Sequence, residues 1–490
     1  MSIYIGLDVG TTSLSALALD VGAGRVAAQA TLPNDAAKAH SGPTGLLRAE
    51  LDLERLRHSL LALLAKLAAL LPEAAAVRGI GVTGQQHGLA LFARELTPIG
   101  PAITWQDQRA LERTGQGAET YLQAMIEAAG GAHAFERMGC LPAAGFMGAT
   151  LYWLARQGAL PDPPAHACLI PDAAVTLLTG APPCTDPTDA GSAGLFDVVA
   201  GAWAWPVIER LGLPAGLFPP VRPAGSVQAP LSREAAEATG LHGVPVCVAA
   251  GDNQASFLGS VREPERSLLL NVGTGGQVSA MTHRFQRLAE VETRAFFQGR
   301  YLLVGAGLYG GRAYAYLRDY FRDTLAAFGA QPAADLYATM NRLASETPPG
   351  ADGLRFEPLF TGTRANPDLR ASLTGIGPTN LTPGRLARAL LEGLAEGFHA
   401  LYREMQPAIG ARELLVGAGN GIVQNPVLAA ILARRFGRDL HVAANVEAAA
   451  LGAALLACSG LGERTLAEAA RMISYDRVVS ATADGAHDGG

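Results

Sequence analysis

One pattern, strand, glycine–threonine turn and strand, occurs twice in this chain and limits what it can fold into. The first copy runs from Ile3 to Leu19, with an apolar run to Val9, a turn at Gly10-Thr11-Thr12, and a second apolar run from Leu14. The second runs from Leu268 to Ala280, where Val9-Gly10-Thr11 recurs as Val272-Gly273-Thr274, about half the chain further on. Apolar runs of this length around a glycine-rich turn read as hairpins. Bare backbone and hydroxyls in such a turn direct several donors at one anion, and Asp8 at the end of the first strand can hold a hydrated cation. Asn271 replaces that carboxylate in the second copy. A single copy would be an ordinary hairpin; two copies predict two similar halves, each presenting an anion cradle.

At 490 residues, 49% of them apolar, the chain is long enough for roughly two to four domains with sizeable cores. A net charge of −6 and no basic run argue against nucleic acid as a partner. Lysine occurs only at Lys38 and Lys66, outside any glycine-rich loop, so no Gly-x-x-x-x-Gly-Lys phosphate loop exists and the protein-kinase arrangement lacks its lysine. Five scattered cysteines (Cys140, Cys168, Cys184, Cys247, Cys458) lack zinc or dithiol spacing and read as free thiols of a reducing cytoplasm. No export signal is visible, and the apolar helix at 60–71 is too short to span a membrane.

Along the chain, strands are expected at 25–32, 77–83, 244–250 and 301–306. Helices are expected at 53–71, 310–328 and 382–405, with mostly helical chain over 111–160 and a proline-rich surface loop over 211–230. A polar turn at 360–367 carries Arg364. Four polar clusters follow short apolar strands. Gly84-Gln85-Gln86-His87-Gly88 places amides and an imidazole at a sheet edge, where α/β folds collect ligands; a lone structural histidine would look the same. Trp105-Gln106-Asp107-Gln108-Arg109 offers an aromatic face and bidentate groups for vicinal hydroxyls, or else a capped helix start. Gly251-Asp252-Asn253-Gln254 puts a carboxylate at a strand-to-helix junction, where a cap would also serve. Gly417-Ala418-Gly419-Asn420-Gly421, leading to Asn425, has too many glycines for an ordinary turn and suits close approach to a flat group. The small-residue segment from Glu447 to Ala454 must pack tightly against something.

With these motifs in order the chain resembles, over essentially its whole length, the FGGY carbohydrate kinases of the actin and heat-shock-70 superfamily, closest to xylulokinases and sedoheptulokinases. The resemblance implies an α/β fold of two ribonuclease-H-like domains, 1–245 and 246–490, around an interdomain cleft. It implies ATP and Mg2+ as cofactors and phosphorylation of the terminal hydroxyl of a ketose, D-xylulose first and sedoheptulose as the alternative. Asp252 would be the general base and Asp8 the metal-side carboxylate acting through water. Gln86, His87, Trp105, Asp107, Asp252 and Asn253 would line the sugar pocket. Gly10, Thr11, Thr12, Gly273, Thr274 and Gly275 would cradle the phosphates, with Gly417, Ala418, Gly419, Asn420 and Asn425 at the adenosine. Partners are a sugar and ATP, not nucleic acid or membrane, in a cytoplasmic protein compatible with a homodimer. Three departures stand out: Thr150 where a lysine is usual, Gly-Ala-Gly in place of three glycines, and Gln86 in place of methionine. Rival readings are an actin-like ATP switch with no sugar and an acyl or metabolite kinase.

Overall fold

In the computed structural model, all residues are described except 1, 73–75, 116, 162–164, 364–365, 367, 445–446 and 483–490. Arg364 and its neighbours Ala365 and Pro367 therefore lie outside the described residues. The first hairpin forms as the apolar runs dictate: Ile3–Val9 pairs antiparallel with Ser13–Asp20, Val9 facing Leu14. Val77–Gly84 lies parallel on its other side, with Asp8 beside Thr83. Ile3–Val9 is buried along almost its whole length, which is why it reads as a continuous apolar run and not an alternating one.

The first sheet runs in the order Val227–Pro230, Pro245–Cys247, Val77–Gly84, Ile3–Val9, Ser13–Asp20, Arg25–Pro33, and Ala250–Gly251 also pairs with Val77–Gly84. The second begins with an additional edge strand, Glu292–Phe296. It continues through Arg300–Tyr309, Gly275–Thr282, Ser267–Val272, Leu414–Ala418, Leu440–Ala443 and Tyr475–Val479. Apart from the additional strand the two orders correspond: hairpin, antiparallel neighbour, and a parallel strand reached through a helix. Those helices are Leu53–Ala69, whose leucines 56, 60, 63, 64 and 67 make one buried stripe, and the 27-residue Pro383–Ile409. The duplicated turn is thus the visible trace of a duplicated domain.

Three expectations need correction. The expected boundary at 245/246 cuts the strand Pro245–Cys247, which pairs with Val77–Gly84; the first sheet extends to Gly251. Among the described residues of 111–160 only two α-helices form, Tyr121–Ala128 and Met147–Arg156, because glycines with positive φ, among them Gly130 (106°) and Gly131 (91°), turn the chain between them. The proline-rich stretch 211–230 is not merely a surface loop: Leu211, Leu213, Leu217 and Phe218 are buried, and Val227–Pro230 is an edge strand, where proline costs least.

The small-residue helix Ala448–Gly460 joins the halves. It packs on Ile3–Val9, Val77–Gly84 and the helix Asp252–Ser260. A Cβ on Gly6 or Gly81 would run into the carbonyls of Ala450 and Ala453. One on Gly259 would strike the Ala448 carbonyl, and one on Gly452 the Ala255 carbonyl. Backbone therefore lies directly on backbone. Around it one apolar cluster draws Leu17, Leu19 and Phe257 from the first half together with Leu269, Val304 and Val416 from the second.

Gly81→Ala is expected to lower the unfolding free energy by roughly 1–3 kcal/mol, the usual range for an overpacked core. Gly216→Ala, which meets nothing within 4 Å, is expected to stay within about 0.5 kcal/mol of wild type. Denaturant unfolding of both variants checks this, and equal effects would refute the packing account.

Candidate active site

Asp8 lies within electrostatic reach of two other carboxylates where the elements joined by this stack begin or end. Asp8 is the penultimate residue of Ile3–Val9, Asp252 opens the helix Asp252–Ser260, and Glu447 precedes the helix Ala448–Gly460. Burial, then the charges of Asp252 and Glu447, push the Asp8 carboxyl up to about 8, and its Oδ1 is buried without a partner. Burial also raises Asp252, to about 6, opposed by its helix-start amides and by Arg294. An orphaned carboxylate oxygen facing like charge fits a divalent cation. Among the described residues no group of three or more His, Cys, Asp or Glu could hold one, so a cation beside Asp8 would draw on phosphate and water oxygens as well.

His87 has a φ of 74°, uncommon for a residue with a side chain. Its amide donates to Ser192 Oγ, and its ring stacks on Phe146 at 3.9 Å. Nδ1 lies 2.8 Å from the Ser192 carbonyl, which can only accept, so Nδ1 carries the proton and Nε2 is left as an acceptor. Burial, then the Arg294 charge, lower its pKa to about 4, so the imidazole is neutral at pH 7. Gln86 Nε2 donates to the Thr188 carbonyl and to Gln254 Oε1. Asn253 Oδ1 is buried without a partner. Gln86, His87, Thr188, Ser192, Gln254 and Arg294 line one small pocket.

The tryptophan cluster divides. Trp105 is 46% exposed, and its Nε1 donates to Thr11 Oγ1, tying the first cradle to this side of the domain. Asp107 corrects an expectation. It is 1% exposed, with Oδ1 accepting from Arg109 N and Nε and Oδ2 from Ala49 N and Arg109 Nη2. Arg48 and Arg109 both lie over Trp153. The polar residues read as partners for hydroxyls are partners for one another, and Asp107 offers no free acceptor.

At the second cradle, Gly273, Thr274, Gly419, Asn420 and Asn425 meet on a cleft of about 1030 Å³. Gly275 sits exposed in the turn beside it. The carbonyls of Gly273 and Thr274 accept from Gly311 N and Arg312 N, so the helix Gly311–Ala327 starts on the cradle itself. Gly310 and Gly311, Arg312, Tyr314 and Asn341 line the cleft too; the sequence reading gave them no role, although two adjacent glycines at a helix start were a usable signal. Gly417 and Ala418 do not line it. They are buried in Leu414–Ala418, and Gly417 makes room for Ile422 and Leu440. Gly419, φ 83°, and Gly421 instead press on Val272, bringing the strand end onto the cradle. Gly10, Thr11 and Thr12 belong to the other hairpin and do not line this cleft.

Behind the small pocket lie three more buried aspartates. Asp186 accepts from Thr188 N, Thr188 Oγ1 and Ala224 N and is raised to about 6 by burial. Asp172 and Asp189 are fully buried and raised well above the usual carboxylate range by burial; neither oxygen of Asp189 has a partner. Such groups hold protons in the folded protein that the unfolded chain has released. The unfolded state binds fewer protons, so stability falls as pH rises from about 4 through the folded values. Asp189→Asn is expected to flatten the fall between pH 5 and 8 by up to about 1.4 kcal/mol per pH unit in urea unfolding; an unchanged slope would contradict it.

Two family models match the chain: the N-terminal domain of the FGGY family of carbohydrate kinases over residues 3–259 and its C-terminal domain over 268–461. Human sedoheptulokinase is 28% identical over 486 residues, spanning 93% of this chain and 97% of that protein. The structure superposes on the xylulose kinase from Rhodospirillum rubrum with a TM-score of 0.84, at 26% identity, covering 98% of this chain and 94% of that one. The Plasmodium falciparum glycerol kinase solved with ADP shares the fold, with a TM-score of 0.81, 18% identity and coverage of 99% and 95%.

Proposed function

Because the chain belongs to the FGGY family of carbohydrate kinases, we propose that it transfers the terminal phosphoryl group of ATP to the terminal hydroxyl of a ketose. The observation that carries this reading is Asp252: a half-buried carboxylate raised to about 6, two residues before a pocket-lining glutamine and within electrostatic reach of Asp8. A base with a pKa just below the working pH is mostly ionised yet still able to take a proton.

In this reading the sugar lies against His87 and Asn253, whose Nε2 and Oδ1 accept from its hydroxyls, with Trp105 at the rim. The adenosine occupies the cleft between Asn341 and Asn425. Gly273 to Gly275 and, from the first half, Gly10 to Thr12 direct backbone and hydroxyl donors at the phosphates. Asp252 takes the hydroxyl proton as the sugar oxygen bonds to phosphorus and the bond to the ADP oxygen breaks. Phosphoryl transfer of this kind rests on positioning and charge stabilisation more than on covalent help. Mg2+, held through water by Asp8, would supply neutralisation of phosphate charge when bound.

D-xylulose stands first from the sequence, and the likeness to a xylulose kinase structure supports it. The match to human sedoheptulokinase along nearly its full length favours a ketoheptose as the second reading. ADP release with Mg-ATP against D-xylulose, sedoheptulose, D-ribulose, L-ribulose and glycerol separates them. One ketose is expected to exceed glycerol at least about tenfold in kcat/KM; ATP turnover indifferent to every sugar would instead favour the switch reading.

Asp252→Asn is expected to lower kcat at least about 100-fold, the scale of a positioned base, while leaving ATP affinity within a few-fold. Since the base works ionised, kcat/KM for the sugar should fall as pH drops through about 6, the value to which burial raises Asp252. A pH-independent kcat/KM from 5 to 8, or near-normal turnover of the variant, would remove Asp252 from the role.

A further inference from the structure

Among the described residues, the edge strand Glu292–Phe296 has no counterpart in the first sheet, yet it supplies the one cationic side chain lining the small pocket. Gln254 Nε2 donates to the Ala295 carbonyl at 3.0 Å and to the Thr188 carbonyl at 3.3 Å, which fastens this strand to the helix that begins with Asp252. Gly139, at a φ of 73°, leaves room for the Thr293 carbonyl and the Arg294 backbone. The second half therefore closes one wall of a pocket otherwise built by Gln86, His87, Thr188 and Ser192 of the first.

Arg294 is held on that wall by Glu292, whose Oε2 accepts from Nε at 2.8 Å and from Nη2 at 2.6 Å. The arginine side chain is 18% exposed and the glutamate 7%. Nη1 makes no hydrogen bond to the described residues. The guanidinium charge acts on both His87 and Asp252, so it is close to the imidazole acceptor and to the proposed base. An unpaired buried guanidinium would call for an anion. One already neutralised by a carboxylate offers directed donors without net charge, which suits hydroxyls.

We infer that Arg294 is a substrate-contacting specificity residue, brought from the second half into the sugar pocket, where Nη1 donates to a hydroxyl of a neutral polyhydroxy ketose. This rests on the ketose-kinase reading above and adds two statements to it. The sugar is contacted from both halves of the chain. A neutral ketose is preferred to the matching aldonate, because the Arg294 charge is already compensated.

The test uses the full-length protein, with wild type, Arg294→Gln and Arg294→Lys assayed on the best ketose for sugar KM, ATP KM and melting temperature, and wild type also on D-gluconate. The expected result is a rise in sugar KM of about tenfold or more for Arg294→Gln, with ATP KM within about twofold even where the melting temperature falls because Glu292 loses its partner. Arg294→Lys, which keeps the charge and the pairing but not the planar fork, should raise sugar KM by a smaller factor and serves as the reading if the glutamine variant does not fold. Unchanged sugar KM in the variants, or a parallel rise of both KM values with a lower melting temperature, overturns the proposal alone. Preference of wild type for the aldonate overturns the neutral class, and a wild type that phosphorylates no ketose overturns the underlying reading and this one together.

Discussion

Everything in the site depends on backbone meeting backbone beneath it. Gly6 and Gly81 in two neighbouring strands, with Gly259 and Gly452 in two helices, let the helix Ala448–Gly460 lie against the first sheet and against Asp252–Ser260 with no side chain between them. That contact fixes where three ends fall: the carboxyl end of Ile3–Val9 with Asp8, the start of one helix with Asp252, and the start of the other with Glu447. A methyl group at any of the four glycines would collide with a carbonyl and push apart the groups on which the chemistry turns.

Gathering carboxylates carries an electrostatic cost that the fold leaves in place at the site. Asp8 and Asp252 are both raised, mainly by burial, and Asp8 is raised further by Asp252 itself. A divalent cation would relieve such a cluster, so part of its binding energy would come from strain already present. The opposite arrangement holds a short way off, where Asp107 and Arg109 satisfy one another beside Arg48 and Trp153. That network is a support in which the Asp107 carboxylate has no acceptor to spare.

The duplication was legible because turn chemistry is local. Val9-Gly10-Thr11 and Val272-Gly273-Thr274 announce two hairpins, and the sheets follow with matching order. The placement of Asp252 and His87 was legible for a similar reason, since both are polar residues just past strand ends. Asp107 misled because Asp next to Arg reads the same whether the pair faces a ligand or itself; only tertiary contact with the Ala49 amide decides. Gly417 misled because a glycine that accommodates Ile422 and a glycine that accommodates a ligand have the same spelling. Arg294 left no signal at all, since it sits in a short edge strand and acquires its setting only in the folded protein, from Glu292 beside it and from His87, Gly139 and Gln254 elsewhere in the chain.

The site also explains the division of labour between the halves. The first half supplies most of the small pocket and Asp8; the second supplies the large cleft and one wall of the small pocket. The central claim is that Asp252 faces the reacting hydroxyl while Asp8 faces the phosphates. A crystal structure with the preferred ketose and a non-hydrolysable ATP analogue with Mg2+ tests it most directly. The account predicts a terminal sugar hydroxyl within about 3 Å of an Asp252 oxygen and in line with the terminal phosphorus. A sugar bound with Asp252 turned away, or with another group holding that hydroxyl, would contradict it.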